Sequence, residues 1–229
     1  YQALPGETLR QLVTRIGGLS SGAYIYGAEF TRESARLRQQ KTLDEVLDRL
    51  EKETQRQSIS RAQNVVATDG SAALKLQAEQ EQKMLERLRT VRATGRMVLG
   101  LSAEATAMEL PELSLEDGDR FYVPPKPSQV SVIGSVFNPN IFIYYPDRNV
   151  RYYLNQSGGP TKDADEASIY VIRADGTSAS QKQSGLFQIG GLDNAKMNPG
   201  DSIVVPEQLD KTTLLTKLKD ISQVFFQLG

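Results

Sequence analysis

The stretch TLRQLVTRIGG at residues 8–18 has a counterpart in NVRYYLNQSGG at residues 149–159. In both stretches an arginine stands third and a pair of glycines comes last. A second pair follows in the same order, since LEDGDRFYVP at 115–124 is matched by MNPGDSIVVP at 197–206. Two landmarks that recur in one order indicate a folding unit that is present twice in the chain.

Each of the first two stretches is predicted to be a short helix. Leu9, Leu12 and Val13 share one helical face, and Val150, Tyr153 and Leu154 repeat the pattern. The glycine pair ends each helix because glycine accepts the left-handed backbone found after a helix. Strand-like runs follow, AYIYGAEF at 23–30 and ASIYVIRADG at 167–176. Aligning these runs makes the second connecting loop about three residues longer than the first.

A β-hairpin is predicted before the second helix, in VSVIGSVFNPNIFIYYP at 130–146. Alternation along its second strand assigns Ile141, Ile143 and one tyrosine to the core. The matching return strand of the first copy falls near residues 1–4, and no strand precedes it. We therefore expect the first sheet to have an open edge.

The first copy also carries an insertion at about 31–94, which the second lacks. Helical periodicity over 31–66 and 71–92, with a turn at Asp69-Gly70-Ser71, predicts an antiparallel helical hairpin. MVLGL at 97–101 is expected to return as a strand to the first sheet. In the tail, one apolar helical face predicts a C-terminal helix over 209–229 that leads toward a membrane segment. That face consists of Leu214, Leu218, Ile221, Phe225 and Leu228.

Composition excludes several kinds of chemistry. The 229 residues include neither cysteine nor histidine, so disulfides, thiol nucleophiles, Cys/His zinc sites and Ser-His-Asp triads are excluded. Lys plus Arg is 27 and Asp plus Glu is 28, which gives no basic field for nucleic acid. We expect no cofactor, no metal site and no catalytic residue.

The repeated landmarks resemble the SLBB domain, a soluble-ligand-binding β-grasp, as it occurs in series in bacterial polysaccharide export proteins. The resemblance implies an α+β fold with two tandem β-grasp domains, at 1–126 and 127–208, followed by the helix at 209–229. The first domain is then truncated at its amino end and interrupted by the helical hairpin. The residues that carry the resemblance are Pro5-Gly6-Glu7-Thr8-Leu9, Gly17-Gly18, Gly118-Asp119, Gly134, Gly158-Gly159 and Gly200-Asp201.

The resemblance also implies a function in transport rather than catalysis. Proteins of this family are periplasmic and associated with the outer membrane, and they form rings that conduct capsular or extracellular polysaccharide. A homo-oligomer, a polysaccharide cargo and an inner-membrane polysaccharide co-polymerase are the implied partners. Membrane contact would come through segments beyond this chain. The helical hairpin is either an arm that binds a neighbour or a solvated structural element.

Candidate contacts for a glycan or a neighbouring subunit are Tyr144, Tyr145, Arg148, Arg151 and Tyr152, because sugars stack on aromatic rings and hydrogen-bond to arginine. The alternative is that these rings fill the small core. Another function left open is a ligand-binding module, for which a pocket lined by Arg151, Tyr152 and Tyr153 would be expected.

A glycosidase is a third reading, based on Asp117 with Asp119 or on Asp163, Asp165 and Glu166. We favour turn-stabilising roles for the Gly-Asp carboxylates. The expected structural turn residues are Gly17, Gly18, Gly118, Asp119, Gly158, Gly159, Gly200 and Asp201.

Overall fold

A computed structural model of the chain describes residues 1–64, 71–180 and 191–208. These residues contain four α-helices and two β-sheets, as the predicted α+β class requires. The helices are α1 (Leu9–Arg15), α2 (Glu33–Asn64), α3 (Ser71–Arg89) and α4 (Val150–Gln156). The strands are β1 (Glu29–Thr31), β2 (Arg96–Met97), β3 (Arg120–Tyr122), β4 (Gln129–Gly134), β5 (Asn140–Ile143), β6 (Tyr170–Ile172), β7 (Ser178–Ser180) and β8 (Ser202–Val205).

The two sheets belong to the two halves of the chain. The first has the order β2-β1-β3 and is antiparallel throughout. The second has the order β5-β4-β8-β6-β7, in which β4 and β8 are the parallel pair. The two halves share one antiparallel strand pair, which is β1 with β3 in the first half and β6 with β8 in the second.

Both halves repeat the same hydrogen bonds between backbone atoms. Each helix is tied at its start to the segment before the Gly-Asp turn, and each Gly-Gly pair bonds back to its helix. The matching bonds are Leu9 N to Leu113 O (2.9 Å) with Val150 N to Ala195 O (3.1 Å), and Gly18 N to Val13 O (2.8 Å) with Gly159 N to Leu154 O (2.8 Å). The two halves therefore share one local architecture.

The helix-to-strand intervals of the two halves are equal. The interval from Leu9 to Glu29 is the same as that from Val150 to Tyr170, so the prediction of a longer second loop is wrong. The error came from aligning residues 23–30 as a strand. Residues Ile25–Gly27 form a 3-10 turn, which buries Tyr24, Ile25 and Tyr26 together. An alternating strand could not bury three consecutive residues on one face.

The strand predicted at 97–101 is also displaced. The strand that pairs with β1 is the two-residue β2, with Phe30 opposite Met97 and Thr31 opposite Arg96. Residues 98–101 have no strand structure.

The alternation predicted for β5 is present, but its phase is the opposite of the prediction. Ile141 and Ile143 are 60% and 66% exposed, while Phe142 packs against the second core. The phase follows from pairing with β4, because Val130 lies opposite Phe142 and is fully buried. Residues directly opposite in an antiparallel pair share one face, so Phe142 must point inward and its neighbours outward.

The two cores differ in completeness. Most of the apolar cluster of the second half is buried, including Val130, Val132 and Val150 at 0% exposure. In the apolar cluster of the first half the buried residues are Leu9, Val13, Ile25, Phe30 and Leu110, and a larger number of apolar side chains lie partly exposed against them. The return strand predicted near residues 1–4 is absent, because no described strand lies beside it to pair with.

The insertion forms a helical hairpin from α2 and α3. Among the side chains that the structure describes there, Leu50 of α2 packs with Val46, Leu85 and Leu88. The predicted turn at Asp69-Gly70 and the predicted helix at 209–229 lie outside the described residues. Within 1–64, 71–180 and 191–208, we find no helix that is both long and apolar enough to cross a membrane.

The halves contact each other beside the second Gly-Asp turn. Arg96 of β2 donates a hydrogen bond to the Ala174 carbonyl at 3.1 Å, and the Tyr26 hydroxyl bonds to Asn198. Burial in this contact raises the pKa of Tyr26 to about 12. The turn is therefore held from both halves.

Candidate functional site

Helix α4 and the loop before it carry the predicted contact residues. The Asn149 side chain caps the helix by accepting a hydrogen bond from the Tyr152 backbone N–H at 3.0 Å. Gly158 and Gly159 both have φ of +81°, and they end the helix as the sequence predicts. These two ends fix which face of the short helix points outward.

Tyr153 anchors this helix to the second core. Its side chain is 0% exposed, and its hydroxyl accepts a hydrogen bond from the Tyr145 backbone N–H at 2.9 Å. Its ring meets Tyr152 edge-on, with ring centroids 5.1 Å apart. Burial raises the pKa of Tyr153, and the hydrogen bond from Tyr145 opposes that shift.

Arg148 and Tyr152 form a direct pair beside the anchor. The Arg148 guanidinium lies 4.7 Å from the centre of the Tyr152 ring, a cation–π contact. Tyr152 is half-buried and packs against the core, as does Tyr144. Two of the predicted aromatic contacts thus contribute to packing, which leaves Tyr145, 50% exposed, as the outward tyrosine.

Arg151 lies in a separate cleft of about 360 Å³. The Arg151 guanidinium is 3.0 Å from the Asp193 carboxylate, and both side chains are accessible. Asn155 and Glu166 add further polar groups, so the cleft holds both charges and an amide. Its lining residues are Arg151, Leu154, Asn155, Pro160, Glu166, Ala167, Ile169 and Asp193. The lining of this cleft thus contains Arg151 but neither Tyr152 nor Tyr153.

An exposed apolar surface lies on and beside the β4–β5 hairpin, and Tyr145 is the one residue of the predicted set that belongs to it. We call it the hairpin patch: Ile133, Phe137, Ile141, Ile143 and Tyr145, each between 46% and 69% exposed. The segment between Lys126 and Asp147 contains no charged residue. Ile133, Ile141 and Ile143 lie on the face of the hairpin opposite its buried residues, and exposed apolar side chains on one face mark surfaces that associate with other molecules. The patch could be found from sequence only by assigning the phase of β5 correctly.

Residues 129–181, which span the hairpin, α4, β6 and β7, match the SLBB domain family. The chain contains an SLBB domain. The resemblance inferred from the sequence, to polysaccharide export proteins with SLBB domains, is confirmed.

The curated relatives of this SLBB protein carry the name of a transport protein. Two polysialic acid transport proteins KpsD of Escherichia coli are each 28% identical to it over 226 residues, 98% of this chain. The chain spans 36% of the length of these relatives. The name of these relatives points to transport rather than to an enzyme.

Two ion pairs beside the Gly-Asp turns escaped the sequence reasoning. Arg32 Nε donates to Asp119 Oδ1 at 2.9 Å and Nη2 to Oδ2 at 2.7 Å, while Arg173 Nη1 donates to Asp201 Oδ2 at 2.6 Å. Each aspartate also accepts a hydrogen bond from the backbone N–H three residues before it. Arg32 directly follows β1, and Arg173 directly follows β6. Extending the comparison of the two sequence repeats to these strands would therefore have shown an arginine at the same position in both halves.

The two carboxylates of these turns lie in protected surroundings. The Asp201 side chain is 0% exposed, and that of Asp119 is 6% exposed. Burial raises the pKa of Asp201, while hydrogen bonds from Asn198 and the charge of Arg173 act in the opposite direction. Each carboxylate accepts three hydrogen bonds from its arginine and nearby backbone N–H groups, which favours a turn-stabilising role for both aspartates.

The other carboxylates singled out in the sequence do not gather into a site. Asp163 and Glu166 are exposed, and Glu166 alone lines the cleft. In the part of the chain that the structure describes, no group of three or more acidic residues could hold a metal ion.

Proposed function

We propose that this protein forms the periplasmic part of an outer-membrane exporter of capsular or extracellular polysaccharide. The observation that carries the proposal is the similarity to polysialic acid transport proteins along 98% of the chain. In this proposal, residues 1–126 and 127–208 are tandem β-grasp SLBB domains. The repeated backbone hydrogen bonds of the two halves support that division.

The proposed mechanism makes no covalent bond. Copies of the protein associate side by side, and the ring that they form encloses a passage for the polymer. Contacts between unlike surfaces close a ring when the rotation between neighbours allows it. The hairpin patch is the surface that we assign to this contact, since its apolar side chains would leave water on assembly.

The helical hairpin is the proposed contact for an inner-membrane co-polymerase. Beyond Leu50 its described side chains are mostly polar, and Ile59 of α2 is 58% exposed. A long excursion that buries so little of its own surface gains stability when it packs against another chain. Outer-membrane contact would be made through segments beyond these residues.

The test is performed in the native host with the complete gene. Deleting the gene should remove surface polysaccharide while polymer remains detectable inside the cell, and a wild-type copy should restore export. We expect the Ile141→Asp/Ile143→Asp variant to fold, because both side chains are more than half exposed. It should fail to restore export and should sediment as a smaller species.

The matched control is Lys162→Asp, which makes the same change of two charge units at an exposed position outside the hairpin patch and removes no apolar side chain. This variant should export and assemble as the wild type does. If the amount of surface polysaccharide were unchanged in the deletion strain, the proposed export function would be contradicted. Normal assembly of the Ile141→Asp/Ile143→Asp variant would contradict only the assigned contact.

The cleft beside α4 favours a second candidate function, which is binding of a glycan or another small polar ligand without transport. Arg151, Asn155, Glu166 and Asp193 offer donors and acceptors at close range. Calorimetric titration with oligosaccharides of the host polymer should then give a measurable heat of binding. The Arg151→Ala variant should bind the same oligosaccharides with at least tenfold lower affinity. Arg148→Ala is the control, because Arg148 stacks on Tyr152 outside the cleft. Equal loss in both variants, or no heat, would rule this candidate out.

A further inference from the structure

Side chains of α2 hold the segment that returns from the helical hairpin to the first sheet. The Gln39 side chain accepts a hydrogen bond from the Gly95 N–H at 2.9 Å and donates one to the Arg96 carbonyl at 2.9 Å. The Gln40 side chain accepts a further bond from the Ala93 N–H at 3.0 Å. The return segment is therefore fixed against α2 by backbone atoms on both sides of Gly95.

The residue before α2 is fixed to the same segment and to the first Gly-Asp turn. The Arg32 N–H donates to the Gly95 carbonyl at 3.0 Å, and a Cβ added to Gly95 would lie 2.6 Å from the Arg32 carbonyl oxygen. The Arg32 guanidinium donates two hydrogen bonds to Asp119, at 2.9 and 2.7 Å. The base of the hairpin is thus closely packed and tied to the first half, so that a tilt of α2 must move β2 with it.

The side chain of Arg96 extends from β2 to the second half. Its guanidinium donates to the Ala174 carbonyl at 3.1 Å and is packed so closely on Gly176 that an added Cβ there would lie 2.9 Å from the guanidinium carbon. The side chain is only 15% exposed. Beside it, the Tyr26 hydroxyl bonds to Asn198. Arg96 therefore joins two contacts, because α2 holds its backbone and the second half holds its side chain.

The length of α2 makes this connection mechanically important. Its 32 residues form a rod of about 48 Å, at about 1.5 Å per residue. A tilt of about 5° at the base therefore moves the far end of the helix by about 4 Å. A displacement of this size at the far end would reach Arg96 as a small rotation of the base.

We propose that Gln39 and Arg96 couple the helical hairpin to the second half, so that α2 and the turn at 173–177 move as one body. Displacing the hairpin then shifts this turn, and with it the neighbouring Gly-Asp turn at 198–201, instead of bending the chain between them. Rigid elements joined by hydrogen bonds and close packing carry such coupling. The coupling does not depend on the export function, because every contact in it lies within the chain.

Spin labels measure this coupling directly. The 229 residues contain no cysteine, so two introduced cysteines carry the only labels. Lys52→Cys places one label on α2, and the second is placed either in the second half by Lys162→Cys or in the first half by Ser20→Cys. All three positions are exposed. Electron–electron distance measurements should give one narrow distribution for each pair of labels.

Two substitutions interrupt the coupling at different points. Arg96→Met removes the guanidinium but keeps the backbone carbonyl that Gln39 binds, so it should broaden the distribution from α2 to the second half at least roughly twofold and leave that from α2 to the first half unchanged. Gln39→Met should broaden both distributions and speed hydrogen exchange at the Gly95 N–H. Tyr26→Phe, which removes only a hydroxyl, should broaden the first distribution in the same direction as Arg96→Met.

The matched control is Arg92→Met, since the Arg92 guanidinium donates to the Arg89 and Val91 carbonyls of its own segment. It should leave both distributions unchanged. Equal widths in the unsubstituted chain, Arg96→Met and Tyr26→Phe would overturn the proposal. So would a distribution from α2 to the second half that is already broad in the unsubstituted chain, because the hairpin would then move independently of that half.

Discussion

The Arg173→Met variant should lose about 3–5 kcal/mol of unfolding free energy, the range for breaking one partner of a buried ion pair. Asp201 is 0% exposed and accepts hydrogen bonds from Arg173, the Ala174 N–H and the Asn198 N–H. Methionine fills much of the same volume but leaves the carboxylate buried without a counter-charge. Urea unfolding followed by circular dichroism measures the loss.

Two further variants distinguish the cost of burying an unpaired carboxylate from the cost of simply removing an arginine side chain. Arg151→Met breaks an ion pair whose arginine side chain is 60% exposed, so we expect a change of about 0.5 kcal/mol or less. Arg173→Met combined with Asp201→Asn removes the charge that would be stranded and should recover part of the loss, although asparagine keeps only one of the two oxygens that accept from the Ala174 and Asn198 N–H groups. If Arg173→Met and Arg151→Met lost equal amounts of unfolding free energy, the Arg173–Asp201 ion pair would not stabilise the turn more than an exposed ion pair does.

Helix positions were predictable from sequence because their signals are local. The apolar period and the glycine pair placed α1 and α4 within a residue or two of their observed bounds. Such features depend on neighbouring residues, which the sequence displays directly.

The phase of β5 was not predictable from its own residues. Both faces of Asn140–Ile143 and the following tyrosines are apolar, so alternation alone allows either face to be buried. Only the pairing of Val130 with Phe142 decides, and that pairing is a property of the sheet. The hairpin patch was missed for this reason, because two of its residues, Ile141 and Ile143, had been assigned to the core.

The ion pairs of the Gly-Asp turns were missed because their partners are distant in sequence. Arg32 and Asp119 are 87 positions apart, with the helical hairpin between them. The sequence reasoning ascribed Asp119 and Asp201 to turns from local chemistry alone. The arginine of each pair comes from a strand end, and only the folded sheet brings it to the turn.

Replacing Gly134 with alanine should be the most damaging of the glycine substitutions on the β4–α4 side of the second half. A Cβ added there would lie 2.1 Å from the Val205 carbonyl oxygen and 3.0 Å from its carbon, and both are backbone atoms of the adjacent strand. Gly134 also has φ of +96°, which alanine adopts only at a cost of about 1–3 kcal/mol. Clash and strain together predict a loss of about 3 kcal/mol or more.

Gly159→Ala is the matched control for Gly134→Ala, because it separates strain from collision. Gly159 has φ of +81°, but an added Cβ there would meet no atom within 4 Å. This variant therefore carries only the conformational cost, about 1–2 kcal/mol. Thermal unfolding of both variants measures the difference in stability between them.

Hydrogen exchange along β4 is a second measurement. Since Gly134 ends the parallel pairing of β4 with β8, its substitution should speed exchange along β4, while exchange there stays unchanged in Gly159→Ala. Equal melting temperatures for the two variants would mean that β4 and β8 can separate at Gly134 without loss, and that the close approach of the strands is not required.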